Sequence, residues 1–360
     1  MPKIKLFDPI SNSQEIKKVC DVIKSGFWAS GAGTGFVKEF EDKFTQYTRA
    51  KNCVSVNSGT AALHLALSLK NLKNKEVILP SLSFVSIANA VLYNGGKPIF
   101  VDINPDTLCI DPEEISKKIS KKTSLLIPVH FAGFPADLNK IKAICNEFNL
   151  SLIDDAAHAC GSEYQGKKIG SICEMSCFSF HPVKNLAMPT GGLISLNQAN
   201  HKKLKKILNA KRWCGITDRK NSFYDIKELG WNFYMNEFSA AIGLIQLKKL
   251  DKLNNKRKMI AQKYSKEISL EKKMLFNKEC CYHFYWILVK KRNTFRKKLS
   301  KMGIETGIHY KPIHKFSLYK NTRKLPITEK ISEQIVTLPT HPNLSTEDVE
   351  LIIKKVNEFA

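Results

Sequence analysis

The order of apolar patterns along this 360-residue chain predicts an α/β protein: a mostly parallel sheet flanked by helices, followed by a smaller α+β unit. Short apolar or β-branched runs alternate with helical patterns between residues 53 and 153, which is typical of a parallel sheet covered on both faces. These runs are continuously apolar, as expected for strands that are buried on both sides. After Met175 the alternation ends, and a long helical pattern follows over 236–264.

Each element is predicted from its own spacing. Apolar residues recur at about 3.6 positions in six early segments, which predicts helices over 13–24, 36–47, 61–69, 84–93, 112–119 and 138–148. Short apolar runs predict strands over 53–56, 76–79, 97–101, 123–129, 150–153, 175–180 and 192–196. The remaining part is expected to form a strand over 282–289, a helix over 294–302, a strand over 304–309 and a helix over 346–359. We therefore place a large unit at 1–245 and, at 246–360, a connecting helix with a small unit.

The composition is that of an ordinary globular enzyme, with 43% hydrophobic and 25% charged residues. The formal net charge is +24, but the lysines are spread along the chain and occupy presumed helix faces, as in 201–208. No basic segment is interleaved with aromatic residues, so we expect no nucleic-acid partner, whereas the positive field favours an anionic substrate. The most apolar stretch, 77–93, is interrupted by Pro80 and Asn89, and the N-terminus lacks an apolar leader. We therefore expect a cytoplasmic protein without a membrane span.

Several familiar site motifs are missing from the sequence. The ten cysteines are scattered with no C-x-x-C pair, which favours reduced thiols and no metal site. There is no P-loop and no G-x-S-x-G elbow. The glycine-rich segment 31–35 lacks the preceding strand that a dinucleotide site requires.

Residues 57–63, Asn-Ser-Gly-Thr-Ala-Ala-Leu, lie between a predicted strand and a predicted helix. A helix N-terminus offers unpaired N–H groups and the positive end of the helix dipole. The small Ser58 and Gly59 would let a phosphate approach the backbone, and the Thr60 hydroxyl can add a hydrogen bond. The same residues also fit an ordinary helix N-cap.

Residues 152–158, Leu-Ile-Asp-Asp-Ala-Ala-His, place two carboxylates after a predicted strand, at the sheet edge where ligands bind in open α/β folds. Asp155 can pair there with the protonated ring nitrogen of a heterocyclic cofactor. Asp154 fits a turn carboxylate or a helix N-cap equally well. His158 fits a structural histidine as well as a cofactor contact.

Residues 176–185, Ser-Cys-Phe-Ser-Phe-His-Pro-Val-Lys-Asn, carry a predicted strand into a loop with apolar flanks around Lys184. Burial would lower the pKa of this amine, and a neutral amine can form a Schiff base with an aldehyde. Ser179 could bind phosphate or be an ordinary strand residue. Residues 230–237 form an aromatic turn into the long helix, which is typical of core packing with Asn236 as the N-cap.

Together these motifs resemble the DegT/DnrJ/EryC1/StrS family of sugar aminotransferases, which use pyridoxal phosphate (PLP) and have fold type I. The resemblance covers nearly the whole chain. The matching segments are 25–28, 58–63, 80–84, 154–159, 179–185, 191–192, 230–232 and 309–312.

The resemblance implies a role for each matching residue. Lys184 would hold the cofactor as a Schiff base and then move protons, and Asp155 would pair with the pyridine nitrogen. The other implied cofactor contacts are His158 near the ring, Phe84 stacked on it, Ser58, Gly59, Thr60 and Ser179 at the phosphate, and Asn232 at the phosphate of the neighbouring subunit's cofactor. The residues implied to line the substrate region are Trp28, His309 and Tyr310.

The family also implies a homodimer whose active sites are shared between the subunits. Glutamate is the implied amino donor, and the implied acceptor is a 4-keto or 3-keto-6-deoxyhexose carried on dTDP, UDP or GDP. The sequence departs from many relatives at 187–192, which reads Ala-Met-Pro-Thr-Gly-Gly in place of Thr-Thr-Gly-Glu-Gly-Gly, and at Tyr234, where many relatives have arginine. The nucleotide, the sugar and the aminated carbon are therefore left open.

Three other functions are compatible with parts of the sequence. A dehydratase branch of the family replaces the Schiff-base lysine with histidine, and Lys184 in register argues against it. A keto-inositol or another small ketone could be the amino acceptor. A regulator without catalysis would have no need to keep both Lys184 and Asp155.

Overall fold

The computed structural model of the protein describes residues 3–319 and 324–360. Its helices are α1 (Ser13–Ser25), α2 (Gly35–Thr48), α3 (Gly59–Leu67), α4 (Ser86–Tyr93), α5 (Pro112–Ser116), α6 (Leu138–Glu147), α7 (His201–Lys211), α8 (Glu237–Glu267), α9 (Arg292–Lys301), α10 (Pro326–Gln334) and α11 (Thr346–Phe359). Its strands are β1 (Asn52–Val56), β2 (Glu76–Pro80), β3 (Lys97–Val101), β4 (Thr123–Leu126), β5 (Ser151–Asp155), β6 (Glu163–Tyr164), β7 (Lys167–Lys168), β8 (Met175–Ser179), β9 (Gly192–Leu196), β10 (Ile216–Lys220), β11 (Phe223–Ile226), β12 (Tyr285–Leu288) and β13 (Ile335–Leu338).

A seven-stranded sheet with the order β1-β9-β8-β5-β4-β2-β3 forms the centre of the fold. The neighbours from β8 to β3 are all parallel, whereas β9 runs antiparallel to both β1 and β8. The mostly parallel sheet predicted from the sequence is therefore confirmed. Three two-stranded sheets accompany it in the described part of the chain: β6-β7, β10-β11 and β12-β13.

The sheet lies between two hydrophobic cores because successive side chains of a strand point to opposite faces. In β2, Val77 and Leu79 belong to the core that also contains the buried side of α3. Ile78, between them, packs in the other core with Phe40 and Phe44 of α2. Both faces are thus covered, which explains why the strands are continuously apolar in sequence.

Polar side chains fix the starts of the helices that matter for the site. The Ser58 side chain caps α3 by accepting from the Ala61 N–H at 3.1 Å. The Asn236 side chain caps α8 by accepting from the Ser239 N–H at 2.8 Å. Helix α8 has 31 residues and spans the boundary that the sequence places between residues 245 and 246.

Several elements differ from the sequence prediction. The strand expected over 304–309 is wrong, because only isolated bridges form there: Ile304 pairs with Ile4 and Gly307 with Thr337. These two partners lie in different parts of the chain, so no continuous ladder can develop. The expected strand over 282–289 is limited to β12, which pairs with the unpredicted β13.

None of the helices in residues 3–319 and 324–360 is both long and apolar enough to cross a bilayer. Eight of the ten cysteines are buried thiols, and Cys20 and Cys214 are exposed. The described residues contain no group of three or more His, Cys, Asp or Glu side chains suited to a metal ion.

Candidate active site

A cavity of about 390 Å³ opens where β1, β5 and β8 end, at one edge of the sheet. Nine of the twelve residues that the sequence singles out line it: Ser58, Gly59, Thr60, Phe84, Asp155, His158, Ser179, Lys184 and Tyr310. The other three, Trp28, Asn232 and His309, lie outside its lining. Ligands bind at this edge in open α/β sheets because several loops meet there.

Lys184 lies in the loop after β8, in a turn closed by its own N–H, which donates to the His181 carbonyl at 2.8 Å. Burial of the side-chain amine lowers its pKa to about 8, although the nearby Asp155 carboxylate acts in the opposite direction. A substantial fraction of this amine is therefore neutral and nucleophilic near neutral pH.

Asp155 ends β5, and its Oδ1 accepts a hydrogen bond from the Ala157 N–H at 3.0 Å. Burial raises the pKa of this carboxyl, while the Ala157 N–H and the charge of Lys184 favour its ionised form. The amine and the carboxylate thus line one cavity and influence each other electrostatically.

Asp154 points to the opposite face of β5 and away from the cavity, as strand alternation requires. It is fully buried, and its Oδ2 lies 2.8 Å from His130 Nε2. His130 Nδ1 accepts from the Ala136 N–H at 3.1 Å, so the ring proton is on Nε2 and points at Asp154. Asp154 is therefore a buried structural carboxylate, which corrects the expectation of a turn residue or helix N-cap.

The N-terminus of α3 forms a cradle of the kind that binds anions. The N–H groups of Gly59 and Thr60 have no hydrogen-bond partner among the described residues. A methyl group on Gly59 would lie 2.6 Å from Ser179 Cβ, so the backbone approaches Ser179 as closely as glycine permits. The Thr190 hydroxyl donates to the Asn57 carbonyl. This bond connects the loop at 187–192, whose sequence differs from that of many relatives, to the cradle.

We expect Gly59→Ala to lower the free energy of unfolding by about 1–3 kcal/mol, because the added methyl group meets the Ser179 side chain. Urea unfolding of the cofactor-free protein measures this loss. The double variant Gly59→Ala/Ser179→Gly should recover most of it, since the clashing atoms are then absent. Equal stability of the single variant and the wild type would contradict this packing.

A group of histidines surrounds the amine. His158 Nε2 lies 3.0 Å from the Tyr310 hydroxyl, and the His158 ring lies 4.7 Å from the ring of His283. His283 Nε2 is in turn 3.4 Å from Lys184 Nζ. Burial, with a smaller effect of the Lys184 charge, holds the pKa of both histidines well below the usual range, so both are neutral.

The sequence did not single out His283, which lies beside β12 in the second half of the chain. No local motif surrounds it, so a lone histidine in an apolar segment reads as a core residue. Only the folded chain places it beside Lys184.

The three predicted residues outside the cavity differ in their surroundings. Trp28 is 54% exposed and contacts the Phe238 ring at 6.0 Å. Asn232 is exposed, and its carbonyl accepts from the Asn57 side chain at 3.4 Å. His309 stacks on Phe284 at 4.6 Å, next to Tyr310 of the cavity.

This combination of groups fits PLP. The amine of Lys184 can bind an aldehyde, the buried Asp155 can pair with a ring nitrogen, and the free N–H groups of α3 can hold a phosphate. The fold and the site therefore define a PLP-dependent enzyme of fold type I.

Comparison with known proteins shows the family to which the chain belongs. The family model described as the DegT/DnrJ/EryC1/StrS aminotransferase family matches residues 9–357. The chain belongs to this family, and the enzyme class and the PLP cofactor expected from the sequence are confirmed.

Individual relatives match over nearly their whole length. The uncharacterized protein MJ1066 of Methanocaldococcus jannaschii is 32% identical over 375 aligned residues, which cover 98% of this chain and 96% of that protein. The putative sugar aminotransferase Spr1654 from Streptococcus pneumoniae, in its PMP form, has 28% identity and a TM-score of 0.93, with 99% of this chain and 97% of that chain covered. PseC from Helicobacter pylori, an aminotransferase involved in the biosynthesis of pseudoaminic acid, has 29% identity and a TM-score of 0.93, with 99% and 98% covered.

Proposed function

We propose that the enzyme transfers the amino group of glutamate to a keto-sugar carried on a nucleotide diphosphate. The observation that carries the proposal is the meeting of Lys184, Asp155 and the α3 cradle in one cavity. Similarity to structures named as sugar aminotransferases supports a sugar as the acceptor.

The residues divide the work according to their chemistry. PLP, when bound, supplies an electron sink for the bond changes at the amino carbon. Lys184 would hold the cofactor through its amine, and the free amine, with a pKa of about 8, is suited to carry a proton as a neutral base. Asp155 would keep the ring nitrogen in its protonated form, and Phe84 and His158 would flank the ring. Ser58, Gly59, Thr60 and Ser179 hold the phosphate.

The substrate side of the cavity is formed by Tyr310, and we assign Trp28 and His309 to the same region. Phe84 is 56% exposed and lies 6.2 Å from the Tyr310 ring, so an aromatic rim remains open to a bulky ligand. The net charge of +24 favours an acceptor with a diphosphate. Reduced, mostly buried cysteines support a cytoplasmic location.

A substrate panel tests this function. The purified protein is loaded with PLP and mixed with glutamate, and the near-visible absorbance of the cofactor should fall as the amino group is taken up. Keto-sugars on dTDP, UDP and GDP, and a free keto-inositol, are then added separately, and the absorbance should return only with a nucleotide-linked sugar. Return with keto-inositol alone would favour the alternative acceptor, and no response to any amino acid would contradict the proposal.

We further propose a homodimer in which Asn232 serves the cofactor of the neighbouring subunit. Asn232 is exposed and is not among the residues that line the cavity of its own chain. The nearby hairpin β10-β11 presents Phe223, which is 82% exposed, and Leu229, which follows it, is 85% exposed. Such an apolar surface is typical of an interface.

Heterodimers separate a shared site from a self-contained one. Chains with Lys184→Ala and with Asn232→Ala are co-expressed under different tags, and the mixed dimer is purified through both. If Asn232 acts across the interface, one of the two sites is intact and the mixed dimer has about half of the wild-type activity. If Asn232 acts within its own chain, no intact site exists and activity does not recover.

A further inference from the structure

His283, which lies in the second half of the sequence, contacts the side-chain amine of Lys184. Its Nε2 lies 3.4 Å from Lys184 Nζ, and the residue is only 2% exposed. The side chain therefore meets the amine inside the protein, where water competes poorly for either group.

The imidazole is held in a fixed orientation. Its backbone N–H donates to the Ala132 carbonyl at 2.9 Å, which anchors the residue. The Phe7 ring stacks on the imidazole with a centroid distance of 5.3 Å and an angle of 19° between the ring planes. The centroid of the His158 ring lies 4.7 Å from that of His283. Phe284 adds a tilted contact at 5.1 Å. Because packing already fixes the rotamer of this ring, Nε2 stays directed at Lys184 and little further side-chain entropy is lost when the contact forms.

The protonation states define the direction of the contact. The ring is neutral, since burial and the positive charges around it lower its pKa. A charged lysine amine can only donate, and a neutral imidazole has one acceptor nitrogen, so beside the charged amine Nε2 accepts and the ring proton is on Nδ1. The titratable groups that influence Lys184, or are influenced by its charge, are Asp155, His158, His181, His283 and His309.

We propose that His283 is a positioning residue for Lys184: its Nε2 accepts a hydrogen bond from the amine whenever the amine has no covalent partner, and so keeps it in the cavity. The amine then waits at a fixed place, from which it can return to the reacting carbon. This inference deepens the proposed function and rests on it for the role of Lys184.

The pKa of Lys184 in the cofactor-free enzyme tests the contact without any catalytic assay. The full-length protein is treated with 1-fluoro-2,4-dinitrobenzene over a range of pH, and the labelled Lys184 peptide is quantified by mass spectrometry. The wild-type amine should titrate near 8. In His283→Phe the acceptor is lost, the charged amine is less stable, and the titration should fall by about one pH unit, a tenfold change in acid dissociation. In His283→Gln an amide oxygen can accept instead, so the titration should stay near the wild-type value.

Controls distinguish this effect from a general disturbance. His341 is also buried, at 5% exposed, its Nε2 lies 3.0 Å from the Lys5 carbonyl, and it is outside the cavity lining, so His341→Phe should leave the Lys184 titration unchanged. A His283→Phe titration equal to wild type, or a His283→Gln titration equal to His283→Phe, overturns the proposal. If His283→Phe does not fold, ¹⁵N NMR of histidine-labelled wild-type apoenzyme decides: an unprotonated Nε2 supports the contact, and a protonated Nε2 overturns it. Failure of PLP loading or of the glutamate reaction in the wild type would instead count against the proposed function.

Discussion

Replacing Lys184 with alanine is expected to lower turnover by about three orders of magnitude or more, because the variant loses both the covalent attachment of PLP and the base that moves the proton. The near-visible band of the bound cofactor should disappear as well. Stability should stay equal or rise, since the folded pKa of this amine lies below its ordinary value and burial of the charged amine opposes folding. Steady-state turnover, absorbance and thermal unfolding together measure these effects.

The exposed Lys121 provides the matched control, because it precedes β4 and is outside the cavity lining, and Lys121→Ala likewise removes one lysine side chain. That variant should keep the band and the activity. If the Lys184→Ala protein kept the cofactor band, the assignment of Lys184 as the residue that binds PLP covalently would be contradicted.

The second large effect is expected for Asp155→Asn. The amide still accepts from the Ala157 N–H but carries no charge to hold the ring nitrogen protonated, so turnover should fall by about a hundredfold or more. Burial raises the pKa of Asp155 in the folded protein above its value in the unfolded chain. The charged carboxylate therefore lowers the stability of the fold once the pH rises above the pKa of the unfolded chain. At neutral pH the variant should therefore be as stable as the wild type or more stable in the absence of PLP.

Asp154→Asn is the informative comparison, since the two carboxylates are adjacent but face opposite sides of β5. It weakens the buried contact with His130 and should cost about 1–3 kcal/mol of unfolding free energy. Its turnover should remain close to wild type. If Asp154→Asn lost activity and Asp155→Asn did not, the assignment of the two carboxylates would be reversed. Kinetics at saturating PLP, combined with urea unfolding, separate the two outcomes.

The parts of the site that could be predicted from the sequence are those that the chain encodes locally. The Ser58 loop, the Asp155 strand end and the Lys184 loop each combine a strand end with an unusual polar residue. Their meeting at one edge follows from the rule for parallel sheets. The role of Asp154 could not be predicted from the sequence. Side chains alternate between the two faces of β5, but only the structure shows that the Asp155 face meets the cavity and the Asp154 face does not.

Other features depend on contacts that no local pattern contains. His283 has a purely apolar neighbourhood in sequence, and its importance arises from packing against Phe7, His158 and Lys184. The hairpin β10-β11 is exposed on both strands, so it lacks the alternation that would reveal it. The segment at 304–309 has the composition of a strand, but its ends pair with different segments.

The antiparallel strand β9 determines when the proposed phosphate cradle can be completed in a newly made chain. Strand β1 is an edge strand that is hydrogen-bonded to the sheet only through β9, so the strand before the Gly59 turn joins the sheet only once residues 192–196 lie between β1 and β8. During synthesis, more than a hundred residues must leave the ribosome after this turn before its final neighbour exists. The proposed phosphate cradle is therefore complete only when the sheet has closed, and formation of α3 alone does not complete it.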